Sequence, residues 1–450
     1  MPEPISSEHD SRVRGPLGWI LDLRNGEIGM LLLAFGYFFF TLASYFILKP
    51  IREDMAAAGG TGDIPWLYSG TFVGMCLTSP LFALAVARLP RRRFVTLAYG
   101  LAIACLLIFY SLWQGFQEGG RLWLGRVFFI WVSVFNMFVL SIFWSVQSDV
   151  FSIDQGKRLF GSIAVGGTLG TIAGSGLTLF LASSLGTANL LLLSVGLLAC
   201  GLLCARKLMA RDRAAREAIG EHHPVIGGGI LAGLTRTIHS PYLLGISAYI
   251  VLMTFGSTFL YVEQINISKE IFGDDRAART EFFSMVNLFA QSLTLVVQIF
   301  FTSRVIKNLG IGLTLCSLPA LSLLGFVALG AADLGIGSVF WIFITFEVMR
   351  RVVQRGLARP SREILFTLVD REDKYKSKNF IDTVVYRGGD VSSAWILDLA
   401  RAAIGSLAGM AALILPMMLV WTGLGLFLGR RQRKMAAKPP GTRPGHFSRG

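Results

Sequence analysis

A chain of 450 residues that is 53% hydrophobic and only 16% charged is not an ordinary soluble domain, since those carry about a quarter charged residues. A formal charge of +14 would suit a nucleic-acid binder, but most of the Lys and Arg lie in the termini and alternate loops, which is the positive-inside signature of a membrane protein. The five cysteines all sit inside apolar blocks as small buried hydrophobes, and the five histidines show no ligand spacing, so a disulfide framework, a zinc site or any other cofactor is not expected.

The polar and basic residues 1–27 precede the first apolar block. That block is long enough to remain as a span rather than a cleaved leader, because roughly 20 helical residues cross the hydrocarbon. The expected spans of the first half are Ile28–Leu48, Pro65–Ala87, Phe94–Gln114, Leu122–Val146, Phe160–Leu185 and Asn189–Ala205. The first runs directly into Lys49, Pro50, Ile51, Arg52, Glu53 and Asp54. The second closes on Arg88, Arg91, Arg92 and Arg93, which mark a cytoplasmic turn. In the fifth, Gly166, Gly170 and Gly174 recur every fourth residue, as close helix packing requires. The run GGTLGTIAGSG lacks the preceding strand and the Gly-Lys-Ser/Thr ending of a phosphate loop. Residues 206–240, with His222 and His223, form a basic cytoplasmic linker.

The second half repeats the plan with Pro241–Val262, Glu281–Thr302, Ile311–Gly330, Gly337–Leu357, Asn379–Arg401 and Ser406–Leu428, before a basic tail over 429–450. ARLPRRRFVTL after the second span is echoed by SRVIKNLGIGLTL after the eighth, and KRLFGSIAVGG by KSKNFIDTVVYRGG. The expected fold is all-α: a polytopic membrane protein of about 12 spans in two six-helix bundles (28–205 and 241–428), both termini cytoplasmic, resembling the major-facilitator architecture.

Ionisable residues inside spans identify the functional region, because each costs roughly 2.5–3.5 kcal/mol at the membrane centre and must face water or a partner. Lys49, Arg52, Glu53, Arg126, Glu263, Glu347, Arg350, Asp382, Arg387, Asp390 and Asp398 all qualify. Helix-end Lys and Arg often snorkel, and Arg126, one turn into its span, is read that way; Lys49 and Arg52 are balanced between snorkelling and a cavity role. The eleventh span cannot be dismissed so: Asp382, Arg387 and Asp390 crowd within about three turns. That segment is expected to line a central aqueous site at the interface of the two bundles. No Walker loop, nucleophile elbow or HExxH is present, so a carrier rather than an enzyme is indicated.

Several motifs resemble the ATP/ADP translocases of plastids and intracellular bacterial parasites, with their free-living bacterial relatives. Ser44-Tyr45-Phe46-Ile47-Leu48-Lys49-Pro50-Ile51-Arg52-Glu53 is similar to that family's first-helix end. Phe143-Trp144 followed by Asp154-Gln155-Gly156-Lys157-Arg158-Leu159-Phe160 resembles its F-W…D-E-A-K-R-F. Tyr261-Val262-Glu263 resembles its seventh-helix end. Lys374-Tyr375-Lys376-Ser377-Lys378, Ile381-Asp382, Arg387 and Gly389-Asp390 resemble its K-x-K-G-K…I-D…R-x-G-K-S. Trp131-Val132-Ser133 stands where the family has a glutamate, and Asp390 where it has a lysine.

The resemblance implies an inner-membrane secondary transporter working by alternating access, in the manner of ATP/ADP antiport. The expected partner is a small anionic substrate, a nucleotide or phosphorylated metabolite, handled by a monomer in lipid and without nucleic acid. Lys49, Arg52 and Arg387 are the expected substrate-binding residues; Glu263, Asp382 and Asp390 are the expected coupling or gating residues. Two alternatives stay open: a proton-coupled exporter of a non-nucleotide solute, and a non-transporting membrane receptor or scaffold with the basic linker and tail as docking surfaces.

Overall fold

In a computed structural model the described residues are 27–217, 237–238, 240–366, 377–378 and 380–436, and all regular structure among them is helical. The helices are α1 (Ile28–Gly59), α2 (Ile64–Arg88), α3 (Arg91–Gly115), α4 (Glu118–Val150), α5 (Ile153–Leu185), α6 (Thr187–Glu217), α7 (Pro241–Phe272), α8 (Arg276–Phe300), α9 (Thr302–Asp333), α10 (Val339–Val353), α11 (Tyr386–Ile404) and α12 (Leu407–Ala436). Each falls on one of the expected apolar segments. Among the described residues, nine helices are long and apolar enough to cross a membrane. Many exposed large side chains on the spans are apolar, Leu77, Phe180 and Leu324 among them, as suits helices whose solvent is lipid.

Several helices outrun their apolar cores. α1 continues past Leu48 through Pro50 to Gly59, so Lys49 and Arg52 lie within a helix rather than at its end. A proline is tolerated inside a membrane helix because neighbouring helices satisfy the freed backbone groups. α6 carries Arg206, Lys207 and Arg211 on to Glu217, shortening the expected linker, whose centre (218–236, with His222 and His223) lies outside the described residues. α10 and α11 are interrupted instead. A π-helical turn, Gln354–Ala358, follows α10 and leads into a short continuation, Arg359–Leu365. Another, Ile381–Val385, precedes α11.

The chain groups into two compact units. The first gathers the described residues up to Arg52, Leu77–Leu124, and those from Trp131 through α6; the second takes Glu53–Cys76, Gly125–Ile130 and all described residues from 237 on.

The first unit is built on small residues and aromatics. A Cβ on Gly166, Gly170 or Gly174 would stand 2.8, 2.3 and 2.3 Å from the carbonyl oxygens of Phe35, Phe39 and Ala43. The glycine stripe of α5 therefore exists to let the α1 backbone come close. Phe143 stacks on Phe38 with ring centroids 4.0 Å apart, Thr41 and Tyr99 share a hydroxyl hydrogen bond of 3.1 Å, and Ser44 and Ser194 one of 2.7 Å. Ser152 and Gln155 form a capping box that starts α5, and Arg158 one turn later pairs with Glu27 at 2.8 Å.

In the second unit the core runs through Tyr249, Phe259, Phe326, Phe346 and Trp421. A satellite cluster joins Ala56, Leu67 and Phe129 to Tyr261, Phe282 and Phe283. The five cysteines are all free; Cys76 and Cys200 are exposed on their helices and Cys204 is half-buried, which corrects the expectation of buried thiols at Cys200 and Cys204.

Candidate functional site

The polar centre of the second unit begins with an i, i+4 pair on α10. Glu347 accepts from Arg351 Nε, the spacing at which helix side chains face one another. Arg351 also donates to Asn287 Oδ1 at 3.0 Å and to Gln264 Oε1 at 2.8 Å. Asn287 in turn donates to Glu53 Oε2 at 3.2 Å. All of these groups are buried. One guanidinium thus ties α7, α8 and α10 to the segment that begins at Glu53. The multi-donor fork of arginine suits this task better than a lysine would. Neighbouring Asp54, fully buried, accepts from Arg279 Nε at 2.7 Å.

A second cluster surrounds the start of α11. Arg387 and Asp390 pair at 3.1 Å across i, i+3. Asp382, on the π turn, pairs with Arg362 at 3.2 Å, and Glu363 with Lys378. Thr258 and Ser393 share a hydroxyl hydrogen bond of 2.7 Å. Gly389 keeps α7 close, since a Cβ there would lie 2.8 Å from Thr254 Oγ1.

Glu263 lies on α7, buried, where it accepts from Arg401 of α11 and, at 3.3 Å, from Asn266. The pair borders a small cleft whose walls include Thr61, Phe259, Asp398 and Met410. Arg126 makes a two-pronged contact with Asp63, in the short connection between α1 and α2, at 2.8 and 3.0 Å.

A sequence profile described as Major Facilitator Superfamily matches residues 28–351. The chain belongs to that superfamily. Solved transporters share the fold at low identity. The nucleoside transporter NupG aligns over 92% of this chain and 100% of its own, at 12% identity and TM-score 0.56. A bacterial homologue of the iron transporter ferroportin aligns over 91% and 97%, at 14% and 0.57. A peptide transporter of the POT family, solved with a thioalcohol-conjugated peptide, aligns over 91% and 96%, at 13% and 0.61. No curated protein matches the sequence.

Within this major-facilitator fold the expected site residues divide between the units. Lys49 and Arg52 are half-buried in the first. Lys49 Nζ lies 5.6 Å from the Phe46 ring centroid, and Arg52 donates to Ser133 Oγ at 3.2 Å, within the Trp131-Val132-Ser133 region where the resembled translocases have a glutamate. The second unit brings Arg387 together with Asp390, and holds Asp382 and Glu263 on separate ion pairs. Sequence reasoning missed Arg351, Arg279, Arg362 and Arg401 as participants. The Glu347-to-Arg351 spacing was the one local signal available; the other partnerships join residues far apart in the chain. Among the described residues no three His, Cys, Asp or Glu side chains gather as a metal site.

Proposed function

We propose that this major-facilitator protein is a secondary active transporter of a small anionic metabolite, phosphorylated or nucleotide-like, working by alternating access as a monomer in the inner membrane with both termini cytoplasmic. The observation that carries the reading is the set of half-buried cations inside spanning helices: Lys49 and Arg52 in α1 and Arg387 in α11. A guanidinium remains charged at any accessible pH and costs most where water is scarce, so cations kept inside such helices favour an anionic over a cationic solute. Lys49, Arg52 and Arg387 are the substrate-binding residues in this reading, and Glu263, Asp382 and Asp390 the coupling or gating groups. The test is flux of labelled nucleotides and phosphorylated metabolites into proteoliposomes. Anion uptake that falls in Arg52→Gln and Arg387→Gln is the expected result; flux of neutral or cationic solutes alone refutes it.

A second reading is favoured by Asp390, a carboxylate in place of the resembled family's lysine, here bonded to Arg387. It makes the protein a proton-coupled exporter. Transport driven by a pH gradient and lost in Asp390→Asn supports that reading, and indifference to pH removes it.

A further inference from the structure

Four arginines are buried among the described residues: Arg279 and Arg350 at 2% exposure, Arg351 at 8% and Arg362 at 9%. Three have a carboxylate: Arg279 has Asp54, Arg351 has Glu347 and Arg362 has Asp382. Arg350 has none within 4.0 Å among the described residues. Its Nη2 donates to the Ser257 hydroxyl and, at 3.4 Å, to the Met253 carbonyl, while its Nε finds no acceptor. Glu347, one turn earlier, is within electrostatic reach, but its bond goes to Arg351, which also draws on Glu53 through Asn287. A buried guanidinium without a carboxylate, and with one N–H unsatisfied, is an expensive feature to keep in a protein interior.

What lies around it points to a ligand. Tyr386, the first residue of α11, sits in the combined field of Arg350, Arg362 and Arg387, with Asp390 the one carboxylate in that set. Gly256 gives the guanidinium a bare backbone neighbour, where even a Cβ would stand 3.7 Å from Nη2. Both π turns flank this point: Gln354–Ala358 begins one turn after Arg350, and Ile381–Val385 ends immediately before Tyr386. Such turns are rare and are frequently found at functional sites.

We propose that Arg350, with Ser257 beside it, forms an oxyanion-binding point in the second unit that takes the phosphate or carboxylate group of the transported metabolite. This deepens the anion-transport reading and rests on it. A bound oxygen accepts from Nε, the donor for which the described residues supply no acceptor. The π turns give α10 and α11 the play needed to admit the ligand.

The experiment uses the full-length protein in detergent with inorganic phosphate as the probe, against chloride at matched ionic strength. Thermal unfolding is followed for wild type, Arg350→Gln, Arg350→Lys and the exposed control Arg430→Gln. Phosphate is expected to stabilise wild type and the control. Arg350→Gln is expected to need at least about tenfold more phosphate for the same shift, with Arg350→Lys intermediate. Without phosphate, Arg350→Gln should melt at or above the wild-type temperature, because it removes a charge that lacks a partner. A phosphate response intact in Arg350→Gln overturns this inference and leaves the anion reading standing. A variant that melts far below wild type, or fails to fold, makes Arg350 structural and overturns it too. A wild type that ignores phosphate overturns both.

Discussion

Asp54 offers the sharpest energetic prediction. Its Oδ1 accepts from Arg279 Nε at 2.7 Å, and Arg276 Nε stands 4.0 Å from its other oxygen. Arg279 donates further to the Gly273 carbonyl. Both partners are buried, at 0% and 2% exposure. Asp54→Asn keeps the shape but leaves Arg279 charged, desolvated and opposed by no carboxylate, a change that costs about 3–5 kcal/mol. The double variant Asp54→Asn/Arg279→Gln removes the stranded charge and should recover most of that loss, giving a coupling of at least about 2 kcal/mol. Reversible unfolding in mixed micelles measures both. A single variant within about 1 kcal/mol of wild type, the value of an exposed pair, would refute the reasoning, as would additive single effects.

Other outcomes are equally specific. Gly170→Leu forces side-chain atoms into the Phe39 carbonyl, where a Cβ already stands at 2.3 Å, and should cost about 1–3 kcal/mol; Gly176→Ala on the same helix, with nothing within 4 Å, should be silent in the same unfolding assay. Glu363, beyond the tenth span, is pushed up by burial, but Lys378, Arg362 and Arg359 outweigh this and hold its carboxyl below the ordinary value of 4.5. Its folded pKa being the lower one, its contribution is present above the unfolded pKa and lost as pH falls through the folded value; the melting-temperature gap between wild type and Glu363→Gln should close on acidification and not on raising the pH. Arg387→Gln should raise the KM for an anionic substrate at least severalfold in the proteoliposome assay, because it removes a half-buried guanidinium.

Nine of these helices were legible because, among the described residues, their apolar runs match the bilayer, and that match sets where a span must be. It does not set where a helix ends. Leu48 closes the apolar run of the first span, but the backbone stays helical to Gly59, and Lys49 and Arg52 move from a helix end to its interior. The glycine repeat was readable as packing, and the facing carbonyls of Phe35, Phe39 and Ala43 give the reason. Ion pairs were the opaque part. Asp54 and Arg279 meet across 225 positions, and no local pattern in the chain announces that. Arg126 and its partner Asp63 likewise belong to different helices and connections, so the sequence does not show their pairing.

The claim on which the rest depends is that the charges held inside these helices serve an anion. Initial uptake of a labelled nucleotide and of its uncharged nucleoside into proteoliposomes, measured side by side, tests it most directly, because the two differ by the charged group alone. The account predicts that the nucleotide enters, that unlabelled phosphate compounds compete with it, and that the nucleoside stays outside. Entry of the nucleoside with exclusion of the nucleotide would contradict it.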